Sequence, residues 1–234
     1  MGAMTQKTYS AIWAEAEDQP SRQQLRAYLR RYKRLLTTSQ RAVLALPSAD
    51  DVTVSIRDTN NSSPGPDGVP FSFYRLFDEE LGPVLHQILV QLAKGNRPPR
   101  DFNHALLHLL PKDESLLVNN TRPISVTNAD NRILARLLAH LLGPVLHDVL
   151  HPAQKGFVPG RVGTEHVRAI NEKYYRALED KVQYFILFLD TRKAFDTIGH
   201  EFIHATLRKL GLPLWLRNVV AGLLHQVEIG RAHV

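Results

Sequence analysis

The apolar positions of this chain recur mostly at helical spacing, and in two places they run unbroken. From Arg22 to Leu36, the residues Leu25, Tyr28, Leu29, Tyr32 and Leu36 repeat at three- and four-residue intervals. That spacing predicts an amphipathic helix whose other face is basic. Residues 1–20 before it are small and polar and predict little order. After the turn-rich stretch 60–69, two helices are expected, broken near Gly82-Pro83, the second ending at Gly95. The apolar run Ala105–Leu110 ahead of Pro111 reads as a strand. A long helical pattern covers Asn128–Val149, interrupted by Gly143-Pro144, and further helices are expected over Thr164–Leu178 and His200–Leu210, the last stopped by Gly211 and Pro213. Tyr184–Leu189 is a continuous apolar run ending on Asp190, the pattern of a strand buried on both faces. Helices outnumber strands, and the order suits an α+β fold.

Composition narrows this only a little. The 234 residues allow one or two domains, and 44% hydrophobic with 22% charged residues is a globular balance. A formal charge of +6 favours a nucleic-acid partner, since basic side chains displace counterions from phosphates, but it also fits a soluble basic protein with no such partner. Without cysteine there is no disulfide framework and no thiolate zinc site. No apolar run reaches bilayer length, no signal peptide is present, and Gln6 breaks the myristoylation pattern that Met1-Gly2 would open.

The strongest chemistry lies in Phe185-Ile-Leu-Phe-Leu-Asp190-Thr-Arg-Lys-Ala-Phe195-Asp196. A carboxylate at the exit of a buried strand is held rigidly, as the near-octahedral shell of Mg²⁺ requires. One carboxylate is insufficient, so others must converge from elsewhere. The competing explanation is that Asp190 caps the following turn.

Leu189-Asp190-Thr-Arg-Lys-Ala-Phe195-Asp196-Thr-Ile-Gly-His200 resembles the first catalytic motif of non-LTR retrotransposon (LINE-type) reverse transcriptases. Three further blocks occur in that family's order: Ser63-Pro-Gly-Pro-Asp67-Gly-Val-Pro-Phe71, Leu109-Leu-Pro-Lys112 followed by Arg122-Pro-Ile-Ser125, and Gln154-Lys-Gly156-Phe-Val-Pro-Gly-Arg161. Each is weak alone; together they span roughly residues 50–215 and are specific. The resemblance implies right-hand polymerase fingers and a partial palm, with an incomplete antiparallel palm sheet and no thumb. It implies a helical region over 1–47, fingers over 48–180 and the start of the palm over 181–227. Asp190 would be catalytic and bind two Mg²⁺ ions with help from the Thr191 carbonyl. Lys112 and Arg122 would hold the incoming triphosphate, and Phe195 would pack under its sugar. Gln154, Gly156, Arg161, Asp67 and Asp196 would belong to template or structural loops. The partners implied are RNA template, DNA primer and dNTP, with no membrane, and the setting is the nucleus or otherwise the cytoplasm. Group II intron maturases share the arrangement but usually carry Phe-Phe-Asp where this chain has Ala-Phe195-Asp196, which tilts the reading to the retrotransposon branch.

Other readings compete. His200-Glu201-Phe-Ile-His204 fits the zincin pattern, which would make the chain a zinc metalloprotease. Ser48-Ala-Asp50-Asp51 resembles the family's Ala-Asp-Asp signature out of place, or else a helix start in capping-box form. The chain could also be a non-catalytic nucleic-acid-binding remnant of a polymerase. The family's glycine-rich motif and Tyr/Phe-x-Asp-Asp hairpin, expected after residue 215, do not occur here, so the chain alone is expected to be inactive. Residues 228–234 read as translated sequencing adapter.

Overall fold

The computed structural model describes residues 20–32, 35–112, 114, 121–191, 194, 198–225 and, as backbone, 229–233. Three of its helices start the same way. Helices α1 (Arg22–Arg30), α2 (Thr38–Ala42) and α3 (Ala49–Arg57) are each opened by a capping box, formed by Ser21 with Gln24, Thr37 with Gln40 and Ser48 with Asp51. In the third, Ser48 N–H donates to Asp51 Oδ2 at 2.8 Å and Asp51 N–H donates to Ser48 Oγ at 3.2 Å. The Asp50-Asp51 pair is therefore a helix start. Those bonds from Ser48, its backbone N–H first, hold the Asp51 carboxyl below its ordinary pKa.

Helices α4 (Phe71–Leu76) and α5 (Asp78–Ala93) part at Phe77. The break foreseen at Gly82-Pro83 does not occur. Asp78, Glu79 and Glu80 fill the first turn of α5, where negative charge complements the helix dipole, and Arg57 pairs with Asp78 and Glu79. Pro83 sits inside α5 and removes one N–H, leaving the carbonyl of the exposed Glu79 to water. Gly82 is buried because α3 lies against it: a Cβ there would come within 1.9 Å of Thr53 Oγ1.

Strand β1 (Ala105–Pro111) pairs antiparallel with β2 (Thr121–Thr127), Ala105 opposite Thr127 and Pro111 opposite Thr121. Helix α6 (Ala129–Val149) follows at once and runs unbroken through Pro144. The interruption expected at Gly143-Pro144 is absent because the carbonyl that Pro144 leaves unpaired, that of His140, lies at an exposed position. Helices α7 (Thr164–Asp180), α8 (His200–Leu210) and α9 (Leu214–Leu223) complete the helical set, Gly211 ending α8 at φ 85°. Strand β3 (Ile229–His233) joins β1 in parallel, giving sheet order β2-β1-β3. That pairing involves the tail read as adapter sequence and is silent on its origin.

The core is made where α3, α5, α6 and α9 meet. Val52, Ile56, Leu89, Leu92, Ile133, Leu134 and Val219 are wholly enclosed. Fully burying a side chain of this size contributes about 1.5–3 kcal/mol. Helix α1 leans on α8 through the Arg22–Glu201 ion pair at 2.7 Å and the Tyr28 and Phe202 rings, 6.1 Å apart.

Two further expectations fail. Helix α1 ends at Arg30, short of Leu36, which is buried separately with its N–H donating to Leu210 O at 3.0 Å. More important, Tyr184–Leu189 is not a buried strand. The segment has no regular secondary structure, pairs with no strand among the described residues and lies exposed, Phe185 at 92% and Leu189 at 85%. A strand needs neighbours to satisfy its backbone groups and a layer to cover each face, and no described segment provides either.

Candidate functional site

The β1–β2 hairpin brings two of the proposed phosphate ligands together. Leu110 is directly opposite Arg122, and Lys112 lies two residues beyond Leu110. Side chains alternate along a strand, so Leu110 and Arg122 share a face with His108 and Ile124, and Lys112 follows directly past the end of β1. Lys112 and Arg122 are both exposed, and no described residue pairs with either side chain. On the opposite face Ala105 and Leu107 are buried, while Pro111 and Ser125 are exposed. The hairpin is thus anchored at its base and carries toward its tip two cations that have no partner among the described residues.

The Ser63–Phe71 block is docked against the start of α6. Asp67 N–H donates to Asn128 Oδ1 at 3.2 Å, and Asp67 Oδ1 accepts from Val69 N–H at 3.0 Å. Gly65 is required at the contact, since a Cβ there would lie within 2.4 Å of Asn128 Oδ1. Arg132, one turn into α6, donates to Ser62 Oγ at 2.8 Å and to the Ser63 carbonyl, and its guanidinium carbon stands 4.6 Å from the centre of the Phe71 ring. Burial pushes the Asp130 carboxyl up to about 6; the Asn131 N–H works against that shift and the nearby Asp67 adds to it. Burial likewise raises the Tyr74 hydroxyl, with Asp130 and Asp67 contributing. Arg132, Asp130 and Asn128 were not singled out from the sequence, and nothing in their spacing distinguishes them from ordinary polar positions at a helix start.

The Gln154–Arg161 block closes the other end of α6. Arg161 donates to the carbonyls of His151 at 2.7 Å, Gln154 at 2.9 Å and Leu150 at 3.2 Å, and also to that of His147. These include carbonyls that a helix end cannot satisfy itself. Gln154 Nε2 donates to the Gly156 carbonyl at 3.0 Å. Phe157 and Gly160 adopt left-handed φ of 59° and 76°. Arg161 and Gln154 are therefore committed to shaping the loop.

Asp190 and Thr191 are exposed at the end of that segment, and Phe195 and Asp196 lie outside the described residues. One carboxylate and one carbonyl supply too few donors for an octahedral ion. No three His, Asp or Glu side chains converge anywhere among the described residues. The donors present therefore do not by themselves make a metal centre. The zincin pattern fares no better: Glu201 is engaged by Arg22, and no third His, Asp or Glu joins His200 and His204 among the described residues. No described helix is long and apolar enough to cross a membrane.

Residues 110–233 match the family described as reverse transcriptase (RNA-dependent DNA polymerase). The chain is 36% identical over 150 residues to the Transposon TX1 uncharacterized 149 kDa protein of Xenopus laevis, covering 64% of the chain and 12% of that protein. It is 30% identical over 194 residues to the Retrovirus-related Pol polyprotein from type-1 retrotransposable element R2 of Popillia japonica, covering 75% of the chain and 24% of that polyprotein. The R2 polyprotein of Nasonia vitripennis is 25% identical over 175 residues, 74% of the chain and 16% of that protein. The chain thus spans no more than a quarter of the length of these relatives.

Proposed function

Because the chain belongs to the reverse transcriptase (RNA-dependent DNA polymerase) family, in its non-LTR retrotransposon branch, we propose that it forms the fingers and the first part of the palm of an RNA-directed DNA polymerase. The observation that carries this reading is that Lys112 and Arg122 flank the paired Pro111 and Thr121 at the tip of the hairpin, with no partner among the described residues. Two cations flanking one strand-end pair suit a triphosphate, and the planar guanidinium of Arg122 can grip phosphate oxygens in bidentate fashion. In this assignment Asp190 is the catalytic carboxylate and Phe195 packs against the sugar of the incoming nucleotide. The docked Ser63–Phe71 loop and the loop shaped by Arg161 carry the template path, with residues 48–180 as fingers and 181–227 as the opening of the palm. The partners are RNA template, DNA primer and dNTP, and a protein that primes synthesis at its genomic target would act in the nucleus.

Reverse transcriptases generally use divalent metal, and Mg²⁺ is the ion assigned here to Asp190 and the Thr191 carbonyl. Because those two donors leave most of the shell unfilled, the ion needs carboxylates other than those described. In this reading the chain's own residues hold phosphate and shape the template loop; the described ones do not by themselves complete the reaction centre.

The test is dTTP incorporation on an RNA template with a DNA primer by a protein carrying the whole polymerase domain. Asp190→Ala abolishes incorporation and leaves binding of the template–primer hybrid in place. Incorporation that persists in that variant overturns the assignment.

A further inference from the structure

Between the end of α5 and the start of β1, residues 97–104 turn around a polar pocket of about 220 Å³ that none of the four motif blocks uses. Arg97, Arg100, His104 and His225 line it, with Asp101 and Asn103. Two guanidinium groups and two imidazoles thus face a single carboxylate. Asp101 is an ineffective counterion: its contact with Arg100 is 3.8 Å long, between side chains 60% and 95% exposed, and such pairs contribute little. His225 Nε2 is buried and has no hydrogen-bond partner among the described residues. A buried ring nitrogen left without a partner is costly and marks a place where a ligand or ordered water belongs.

The pocket is built rather than accidental. Its wall is the Pro98-Pro99 pair, and Asp101 holds a left-handed φ of 62°. The strained turn is pinned from three sides. Asn103, 4% exposed, donates to the carbonyls of Gly222 and His225 and accepts from Asn131. Asn128 donates to the Asp101 carbonyl at 3.3 Å. Backbone strain of this kind persists only where surrounding contacts over-determine it.

We propose that this pocket binds one backbone phosphate of the nucleic acid, as a second anchor apart from Lys112 and Arg122. Its size decides the ligand class. At ~30 Å³ per water it holds roughly seven waters, less than the ~300–1,000 Å³ of sites that enclose a whole small molecule. A phosphate group fits with its solvent; a nucleotide does not. Its place decides the partner. The turn leads directly into β1, so eight residues at ~3.3 Å each set it roughly 26 Å from Lys112. That is about seven or eight steps of a duplex rising ~3.4 Å per step, so one template–primer could touch both. The inference rests on the polymerase reading for the nature of the partner and on the pocket itself for the anion.

The test uses the 234-residue chain, a fluorescein-labelled RNA–DNA hybrid and a salt titration. Arg97→Ala with Arg100→Ala lowers affinity several-fold and reduces the slope of log K against log salt by about 1, the loss of roughly one phosphate contact. Both side chains are exposed, so the substitutions remove no packing, and circular dichroism checks the fold. Lys173→Ala with Arg176→Ala on α7 removes the same charge elsewhere and should leave the slope unchanged. Inorganic phosphate, added alone, should shift the NMR signals of His104 and His225. If the Arg97/Arg100 variant binds the hybrid with the wild-type slope, or both double variants lose slope equally, the pocket is no anchor, and the polymerase reading is untouched. If phosphate shifts the two histidines but the hybrid is not bound, the anion site survives, while the nucleic-acid partner and the polymerase reading it rests on fail.

Discussion

Asn131 donates a hydrogen bond to Asn103 Oδ1 at 2.9 Å, joining the first turn of α6 to the turn that precedes β1. Both side chains are buried, and Asn103 carries the connection on to the carbonyl of Gly222 in the last turn of α9 and that of His225 just beyond it. With Asn128, which reaches both Asp67 and Asp101, these asparagines tie the Ser63–Phe71 loop, the 97–104 turn, α6 and α9 into one frame. The hairpin that carries Lys112 and Arg122 springs from this frame at both ends.

Asn103→Ala removes a donor for two carbonyls and an acceptor for Asn131. Each buried polar group left unpaired costs about 1–3 kcal/mol. A loss of ~2–4 kcal/mol in urea unfolding is expected, and Asn131→Ala added to it should cost less than it does alone, with a coupling of ~0.5–3 kcal/mol. Simple additivity would show that the two side chains act independently.

Stability should fall as pH rises between about 4 and 6. The Asp130 carboxyl is raised to about 6 in the fold, so across that window the folded state holds a proton that the unfolded state has lost. Stability then decreases with pH through the window and levels off above it. Asp130→Asn should abolish this fall and gain about 1–3 kcal/mol at pH 8. Chemical unfolding at several pH values measures both, and an Asp130→Asn protein with the wild-type pH profile would refute the assignment to Asp130.

Arg161→Ala should loosen the end of α6. Charge-assisted hydrogen bonds to carbonyls contribute ~1.5–3 kcal/mol, and Arg161 makes several. Arg161→Lys should recover only part, because an ammonium cannot span the same carbonyls. Thermal unfolding of the two variants gives the order, and equal losses would argue against the fork geometry.

Gly82→Ala sets a methyl against Thr53 Oγ1, within 1.9 Å of it. Overpacking of this kind costs ~1–3 kcal/mol. Thr53→Ala in the same chain should restore much of it, as read by the denaturant midpoint, whereas failure of that rescue would place the strain in the backbone instead.

Phe185→Ser with Leu187→Ser should raise solubility and leave unfolding stability unchanged, because both side chains are 78% or more exposed. Light scattering and urea unfolding separate the two effects. A loss of stability would mean that the apolar run is covered in solution.

Much of the local structure was legible in the sequence because it depends on short-range terms. The capping box at Ser48-x-x-Asp51, the strand at Ala105–Pro111, and the stop of α8 at Gly211 all follow from neighbours within a few residues. The ordered motif blocks that mark the family were legible as well, since each is a short run of neighbouring residues.

What only the tertiary structure decided are the contacts between residues far apart in the chain. Nothing local marks Asn103, Asn128 or Asn131 as a buried network, or Arg132 as the residue that holds Ser62 and Ser63 against Phe71. Gly82-Pro83 and Gly143-Pro144 look like breaks until the carbonyls they leave are found on exposed residues. The run Tyr184–Leu189 shows the same limit from the other side. Its apolar pattern encodes burial, but burial needs partners, and among the described residues none comes to it. Periodicity states what a segment requires of its surroundings, and only the assembled chain determines whether the surroundings provide it.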